Sequence, residues 1–555
     1  MIMDFTQEDD RFFLSNEILI IVFVYTLSYG LTLLNSGLYL DDFVMTGFYQ
    51  NPANVLEAYK ELGYFLYWPA FLHILAFKLQ PSAGVFIERL VIFLSYLFSA
   101  LFLCGALKKV DEIDRASRIA LIVFFAVMPV NFSRIVISNI NSALCNLFFF
   151  AGLYLLARYF FEKKPLLCRL AALVLFFFSF STNSLLVFYL IAIALIAYRE
   201  RRGIELGFLP ALALRYLDFL AAPVVFWIIK ALLFKPYGAY GGYYNVVDAG
   251  GIAAGGLRSL LSFSVFYGLL KKTVFVFDFI TLFFIVIAAA SLYFFYALKG
   301  RPEHRFPSPL VGEGKGGGRG TSLFFLCFGA FVYLIAVFPY AAVGKVYVVD
   351  NWSDRHALLV PLGASLLLYY ALRLAFGRVS PRALVIASAA LIALFVSADI
   401  RALLGFQRQA FKQLSLIEQI KSSAVIRNNR TFLFIDETKD YDGFKSEPYR
   451  QYEWTCLFKV AYGDETRNGW TQELYKSEEP SYYALGIYAK YKPRYCIGGY
   501  EPGKPQYAVI VKKGGSALDS RLDVVRLLFR NAFNAPQAQE DIKKILRLEY
   551  RKLEG

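Results

Sequence analysis

Long apolar runs separated by short polar turns fill this chain from about residue 18 to about residue 397, after which charged, alternating sequence takes over. The first run covers about 18–35. A polar and amphipathic stretch, about 37–82, follows it. Within that stretch, Gly63-Tyr64-Phe65-Leu66-Tyr67-Trp68-Pro69-Ala70-Phe71-Leu72-His73 is too short and too interrupted for a span. It predicts a helix lying in the membrane interface. Further runs fall near 83–107, 119–130, 143–161, 170–180, 185–198, 217–234, 273–298, 322–342, 357–374 and 383–397. The pattern predicts an α-helical polytopic membrane protein of about eleven spans over residues 1–400. From about 401 to 555, the strand-like runs Thr431–Ile435 and Tyr507–Val511 alternate with helical stretches near 520–533 and 537–551. That segment predicts a C-terminal α/β domain.

Composition agrees, since 57% of the 555 residues are hydrophobic and mean hydropathy is +0.48. A net charge of +15 would suggest nucleic acid in a soluble chain. Here Lys and Arg collect in short loops between apolar runs, which is the positive-inside pattern, so no nucleic-acid partner is expected. Placing those loops in the cytoplasm leaves the N-terminus inside and Asp41, Asp42 and the C-terminal domain outside, with Lys271-Lys272 as the one exception. The acidic start (Asp4, Glu8, Asp9, Asp10) lacks a cleavage site, so the first run reads as an uncleaved anchor. A low-complexity Pro/Gly insert at about 300–320 cannot pack a core and is assigned no function. Cys104, Cys145, Cys168 and Cys327 read as small buried hydrophobes. Cys456 and Cys496 lie where an oxidising compartment would permit a disulfide. Zinc spacings, nucleophile elbows and dinucleotide fingerprints are missing where they would need to be, and Gly238–Gly256 reads as a flexible outer loop.

Two constellations carry candidate chemistry. Asp41 and Asp42 follow the first run in Leu38-Tyr39-Leu40-Asp41-Asp42-Phe43. An acid pair held at the bilayer lip can act as a base, or bind a divalent cation (Mg²⁺ or Mn²⁺), beside a substrate whose tail lies in lipid. The plainer alternative is a solvated loop pair. The second is Lys345-Val346-Tyr347-Val348-Val349-Asp350-Asn351-Trp352-Ser353-Asp354-Arg355-His356, which runs straight into an apolar stretch on the same side. Arg355 and His356, one of only three histidines, suit a lipid-linked phosphate, with Asp354 in support. Lys345 and Arg134 are further phosphate candidates. Trp352 reads as an interfacial anchor.

With the acid pair after the first span, a large first outer loop, short paired spans and a trailing outer domain, the chain resembles the GT-C superfamily of integral-membrane glycosyltransferases. Phe178-Ser179-Phe180-Ser181-Thr182-Asn183-Ser184-Leu185 is similar to that family's polar break between spans, and Asp354-Arg355-His356 to what bacterial members show before a late span. The resemblance covers about 12–400; the insert has no counterpart. It implies sugar transfer, with inversion, from a polyprenyl-phosphate donor to a lipid, glycan or protein acceptor on the outer face of a bacterial inner membrane. Asp41 or Asp42 would be the base, and Arg355, His356, Arg134 and Lys345 would hold the phosphate. The alternatives are a transporter or flippase for a lipid-linked glycan, or an adaptor acting through the outer domain. The spans hold few ionisable residues and show no internal repeat, both of which weigh against a transporter.

Overall fold

A computed structural model describes residues 16–48, 52–79, 83–200, 213–237, 268, 271, 319–345, 347–348, 351–377, 380–444, 447–463, 466–476, 503–516 and 518–553. The expected run at 273–298, most of the Pro/Gly insert, the loop 238–256, Asp350 and Cys496 lie outside the described residues.

The helical part contains α1 (Asn16–Tyr29), α2 (Asp41–Phe48), α3 (Pro52–Glu61), α4 (Trp68–Leu79), α5 (Gly84–Leu107), α6 (Arg115–Val127) and α7 (Ile140–Phe161). It continues with α8 (Leu166–Ser179), α9 (Ser184–Phe188), α10 (Leu190–Glu200), α11 (Leu217–Leu233), α12 (Arg319–Ala341), α13 (Val360–Phe376) and α14 (Pro381–Ser422). Five of the described helical segments are long and apolar enough to cross a membrane: Asn16–Leu34, Gly84–Leu107, Ile137–Phe161, Gly320–Ala341 and Arg382–Ser422. Leu19, Phe23, Phe324 and Ile386 on these helices expose more than half of their surface, as a lipid-facing band requires. Helices α6 and α8 have 13 and 14 residues, short of the roughly 20 a crossing needs. The segment expected in the interface is the 12-residue α4.

Local chemistry sets the breaks. Asp114 caps α6 by accepting the Ser117 N–H at 2.9 Å. Met128, which precedes Pro129, is extended and ends that helix. Ser380 caps α14, where Pro381 occupies the first turn. From there α14 runs for 42 residues, about 63 Å at the α-helical rise. The boundary expected near residue 400 falls inside this helix, so one rigid rod links the bundle to the C-terminal part.

That part starts with α15 (Ala424–Asn428) and holds β1 (Thr431–Asp436), α16 (Gln451–Tyr462), β2 (Asn468–Trp470), α17 (Gln472–Lys476) and β3 (Tyr507–Lys513). It closes with α18 (Arg521–Phe533), α19 (Ala535–Lys543) and β4 (Leu546–Lys552). The sheet order is β2-β1-β3-β4, with β1 parallel to both neighbours and β4 antiparallel to β3. Lys412 of α14 fixes the rod to this sheet. Its buried ammonium donates to Asp436 at 2.7 Å, Asp442 at 2.8 Å and the Thr438 carbonyl at 3.1 Å. Burial alone would raise the Asp436 carboxyl, but the Lys412 charge holds it below the usual range. Cys456 of α16 is buried and disulfide-bonded.

Ion pairs gather at one end of the bundle. There Glu17 meets Arg115 at 2.6 Å and Arg118 at 3.0 Å, Arg373 meets Asp114 at 3.2 Å, and Lys109 meets Glu162 at 2.5 Å. Arg169 and Asp218 pair at 2.7 Å where α8 and α11 begin. The acid pair and the Asp-Arg-His segment lie at the opposite end.

Candidate functional site at the lip of the bundle

Both motifs meet on one buried turn, residues 131–139, between α6 and α7. Asp42 is fully buried; its carboxylate accepts the Ser138 N–H at 2.9 Å and the Tyr39 N–H at 3.2 Å. Asp354 is equally buried and accepts the Ser133 N–H at 2.9 Å and the Phe132 N–H at 3.1 Å. One acid thus holds each end of the turn, and each satisfies backbone donors that burial would otherwise leave unpaired. Arg89 ties the same turn to the first outer loop, donating to the carbonyls of Asn35 and Gly37 and, at 3.3 Å, to that of Ile135.

The loop before the acid pair threads against the rod. Leu38 N–H donates to Gln413 Oε1 at 2.8 Å, and Tyr39 OH donates to the Phe406 carbonyl at 2.7 Å. Gly37 is needed for this approach: a Cβ there would sit 2.7 Å from Tyr39 OH and 2.8 Å from the Ala410 Cβ. Leu40, at φ 51°, turns the chain into α2.

The two aspartates therefore differ. Burial pushes the Asp42 carboxyl up to about 7, against the pull of the Ser138 N–H and the Arg89 charge. Asp41 is only half-buried, and its side chain receives a long hydrogen bond from Tyr452 OH at 3.4 Å. Asp41 is the more accessible of the two acids. Asp42 already accepts a backbone N–H on each carboxylate oxygen. Among the described residues, no group of three or more His, Cys, Asp or Glu side chains could hold a metal ion.

The C-terminal part covers this lip. Glu453 of α16 accepts the Arg450 N–H at 2.8 Å and the Leu40 N–H at 3.3 Å, and burial pushes its carboxyl up to about 8. Phe43 meets Tyr449 edge-on, with ring centroids 6.4 Å apart. Trp352, expected as a lipid-facing anchor, is instead buried, edge-on to Phe444 at 6.5 Å. An anchor would need lipid on that face, and protein occupies it.

Arg355 lies 4.2 Å from the centroid of the Trp352 ring and, among the described residues, forms no ion pair. Burial, then the Arg355 charge, pulls the Lys345 ammonium below its ordinary range, which places two cations close together. The His356 and Tyr340 rings lie tilted against each other, with centroids 5.0 Å apart. Arg134 departs from the expected phosphate role. It is buried, 3.9 Å from the Tyr29 ring centroid and 4.8 Å from that of Tyr96, and donates to the Asn131 carbonyl at 2.8 Å. Its charge is spent inside the bundle, next to an acid the sequence reading passed over. That acid, Asp399 of α14, accepts Ser28 OH at 2.5 Å and Tyr29 OH at 2.8 Å.

Also unread in the sequence is a buried relay beneath the interfacial helices. Tyr59 OH lies 2.7 Å from His73 Nε2, whose Nδ1 lies 2.5 Å from Glu88 Oε1. The fifteen-residue spacing of His73 and Glu88 gave no periodic signal, because they sit on different helices.

Together, fold and site define a helical membrane protein whose bundle carries an acid and a cluster of cations at one end, under a small α/β part. No family model, no curated protein and no solved structure matches this chain.

Proposed function

We propose that this protein is a membrane glycosyltransferase that moves a sugar from a polyprenyl-phosphate donor to a lipid, glycan or protein acceptor. One observation carries the reading. An accessible carboxylate, Asp41, and a basic segment, Arg355 with His356, are attached to the same buried turn through their neighbours Asp42 and Asp354, and Lys345 lies close to Arg355. The chemistry needs those two elements. Asp41 takes the proton from the acceptor hydroxyl as its oxygen attacks the anomeric carbon. The bond from that carbon to the phosphate oxygen breaks, and its electron pair leaves on the polyprenyl phosphate. Arg355, Lys345 and His356 stabilise the departing charge, and attack from the opposite face inverts the anomeric centre.

About eleven spans, a cytoplasmic basic end and an outward-facing lip complete the proposal, in line with the collection of Lys and Arg in short loops between apolar runs. The resemblance to GT-C enzymes supports the same reading. Asp42 and Asp354 are positioning residues, and the C-terminal part, which touches Asp41 through Tyr452, would present the acceptor.

The test is transfer of labelled sugar from polyprenyl-phosphate donors in proteoliposomes, with lipid flipping assayed in the same preparations. Transfer supports the enzyme. Flipping without transfer from any donor overturns it in favour of a transporter.

A further inference from the structure

Lys230 lies in the last turn of α11, an apolar helix otherwise facing lipid: Trp227 exposes 63% of its surface and Leu233 69%. It sits at the lip end, because α11 begins at the Arg169–Asp218 pair and its exit leads to Tyr237, whose N–H donates to the Glu61 carbonyl at 3.0 Å. The Lys230 ammonium donates to Asn183 Oδ1 at 2.6 Å. Among the described residues no carboxylate forms an ion pair with it. A largely buried lysine held by a neutral amide, with no carboxylate paired to it among the described residues, favours an arriving anion.

Its surroundings show where such an anion would sit. Asn183 belongs to the polar break 181–184 between α8 and α9. Ser181 of that break accepts from the Trp68 indole N–H at 3.3 Å, and Ser184 shares a 3.2 Å hydrogen bond with Tyr340 OH. Tyr340 in turn makes a tilted ring contact with His356. The break thus touches Lys230 through Asn183 and reaches the Asp-Arg-His segment through Ser184 and Tyr340.

We propose that Lys230 is a ligand for the phosphate of the lipid-linked substrate, placed where the lipid tail enters from the bilayer, with Asn183 holding its ammonium in position. The inference rests on the glycosyltransferase reading and adds a residue from a different helix to its cationic group. A simple snorkelling lysine ends in solvent; the ammonium of this one ends on Asn183 Oδ1 at 2.6 Å.

Equilibrium binding of farnesyl phosphate to the full-length protein in detergent tests this, with farnesol, inorganic phosphate and phosphatidylglycerol as comparison ligands. Lys230→Met should weaken farnesyl phosphate roughly tenfold to a hundredfold, the loss of one charge-assisted contact, while Lys230→Arg recovers part of it. Farnesol should bind weakly and without regard to residue 230. Asn183→Asp places a carboxylate directly on the Lys230 ammonium, so it should keep or raise the melting temperature and still weaken farnesyl phosphate. Wild-type affinity in Lys230→Met, or equal losses for phosphatidylglycerol, overturns the proposal and leaves Lys230 a general headgroup anchor. If the wild-type protein binds no farnesyl phosphate, the glycosyltransferase reading falls with it.

Discussion

Adjacent in sequence, Asp41 and Asp42 have opposite occupations. Asp42 presents one carboxylate oxygen to Ser138 N–H and the other to Tyr39 N–H. In Asp42→Asn one of those acceptors becomes an NH₂ facing a donor, which should cost about 1–3 kcal/mol and lower the melting temperature. Thermal unfolding measures this; an unchanged melting temperature would show that Asp42 does not hold the turn. Asp42 and Glu453 also set a pH dependence. In the unfolded chain both ionise near pH 4, whereas burial carries them to about 7 and about 8 in the fold. Between those limits the folded state keeps protons that the unfolded chain has lost, so stability falls as pH rises through the window. Melting temperatures followed from roughly pH 5 to pH 9 should decline, and Glu453→Gln should flatten the upper part of the slope. A second functional contrast lies at Arg355: Lys in its place keeps the charge but loses the planar fork and its stacking on Trp352. Arg355→Lys should therefore retain only part of the donor affinity, measured as a raised KM for the polyprenyl-phosphate sugar. A wild-type KM would show that charge alone is used there.

The helices were largely legible from apolar periodicity, because a run that must satisfy its own backbone in lipid has little choice of structure. Three elements were not, the first being the stretch 537–551, where helix stops at Lys543 and Leu546–Lys552 forms β4. The rod α14 was read as a short span ending near residue 397, since Arg401, Arg408 and Lys412 break the apolar pattern. Helix continues there because those positions pack on the outer loop and the sheet, and Lys412 finds Asp436 and Asp442 far along the chain. The turn at 131–139 looked like a polar connection, yet it is buried and held from both ends. Its partners, Asp42, Arg89 and Asp354, lie too far away in sequence for any local pattern to show them. The rod sets the depth of the acid pair through Gly37. A methyl group at Gly37 must displace either Tyr39 or the α14 backbone, so Gly37→Ala should destabilise by about 1–3 kcal/mol. Transfer should fall further than the folded fraction does. Activity falling only in proportion to folded protein would show that the loop's depth is immaterial.

At the scale of the molecule, the ion pairs of Glu17, Asp114, Glu162 and Asp218 lie at one end and the candidate chemistry at the other. The membrane class follows from apolar length alone. The identity of the site residues needed the fold, since burial, and nothing local, separates Asp41 from Asp42 and Arg355 from Arg134. Cysteines placed at exposed Ala532 and Asp111 should label on opposite sides of an intact membrane, Ala532→Cys from outside and Asp111→Cys only after lysis. Labelling of both from one side would contradict the proposed orientation. The central claim, that Asp41 is the base of a sugar transfer, is tested most directly by the transfer rate of Asp41→Asn. The amide keeps the shape and removes the proton acceptor. The account predicts a loss of about 10²–10⁴-fold with an unchanged melting temperature and unchanged donor binding. Full transfer by folded Asp41→Asn would contradict it.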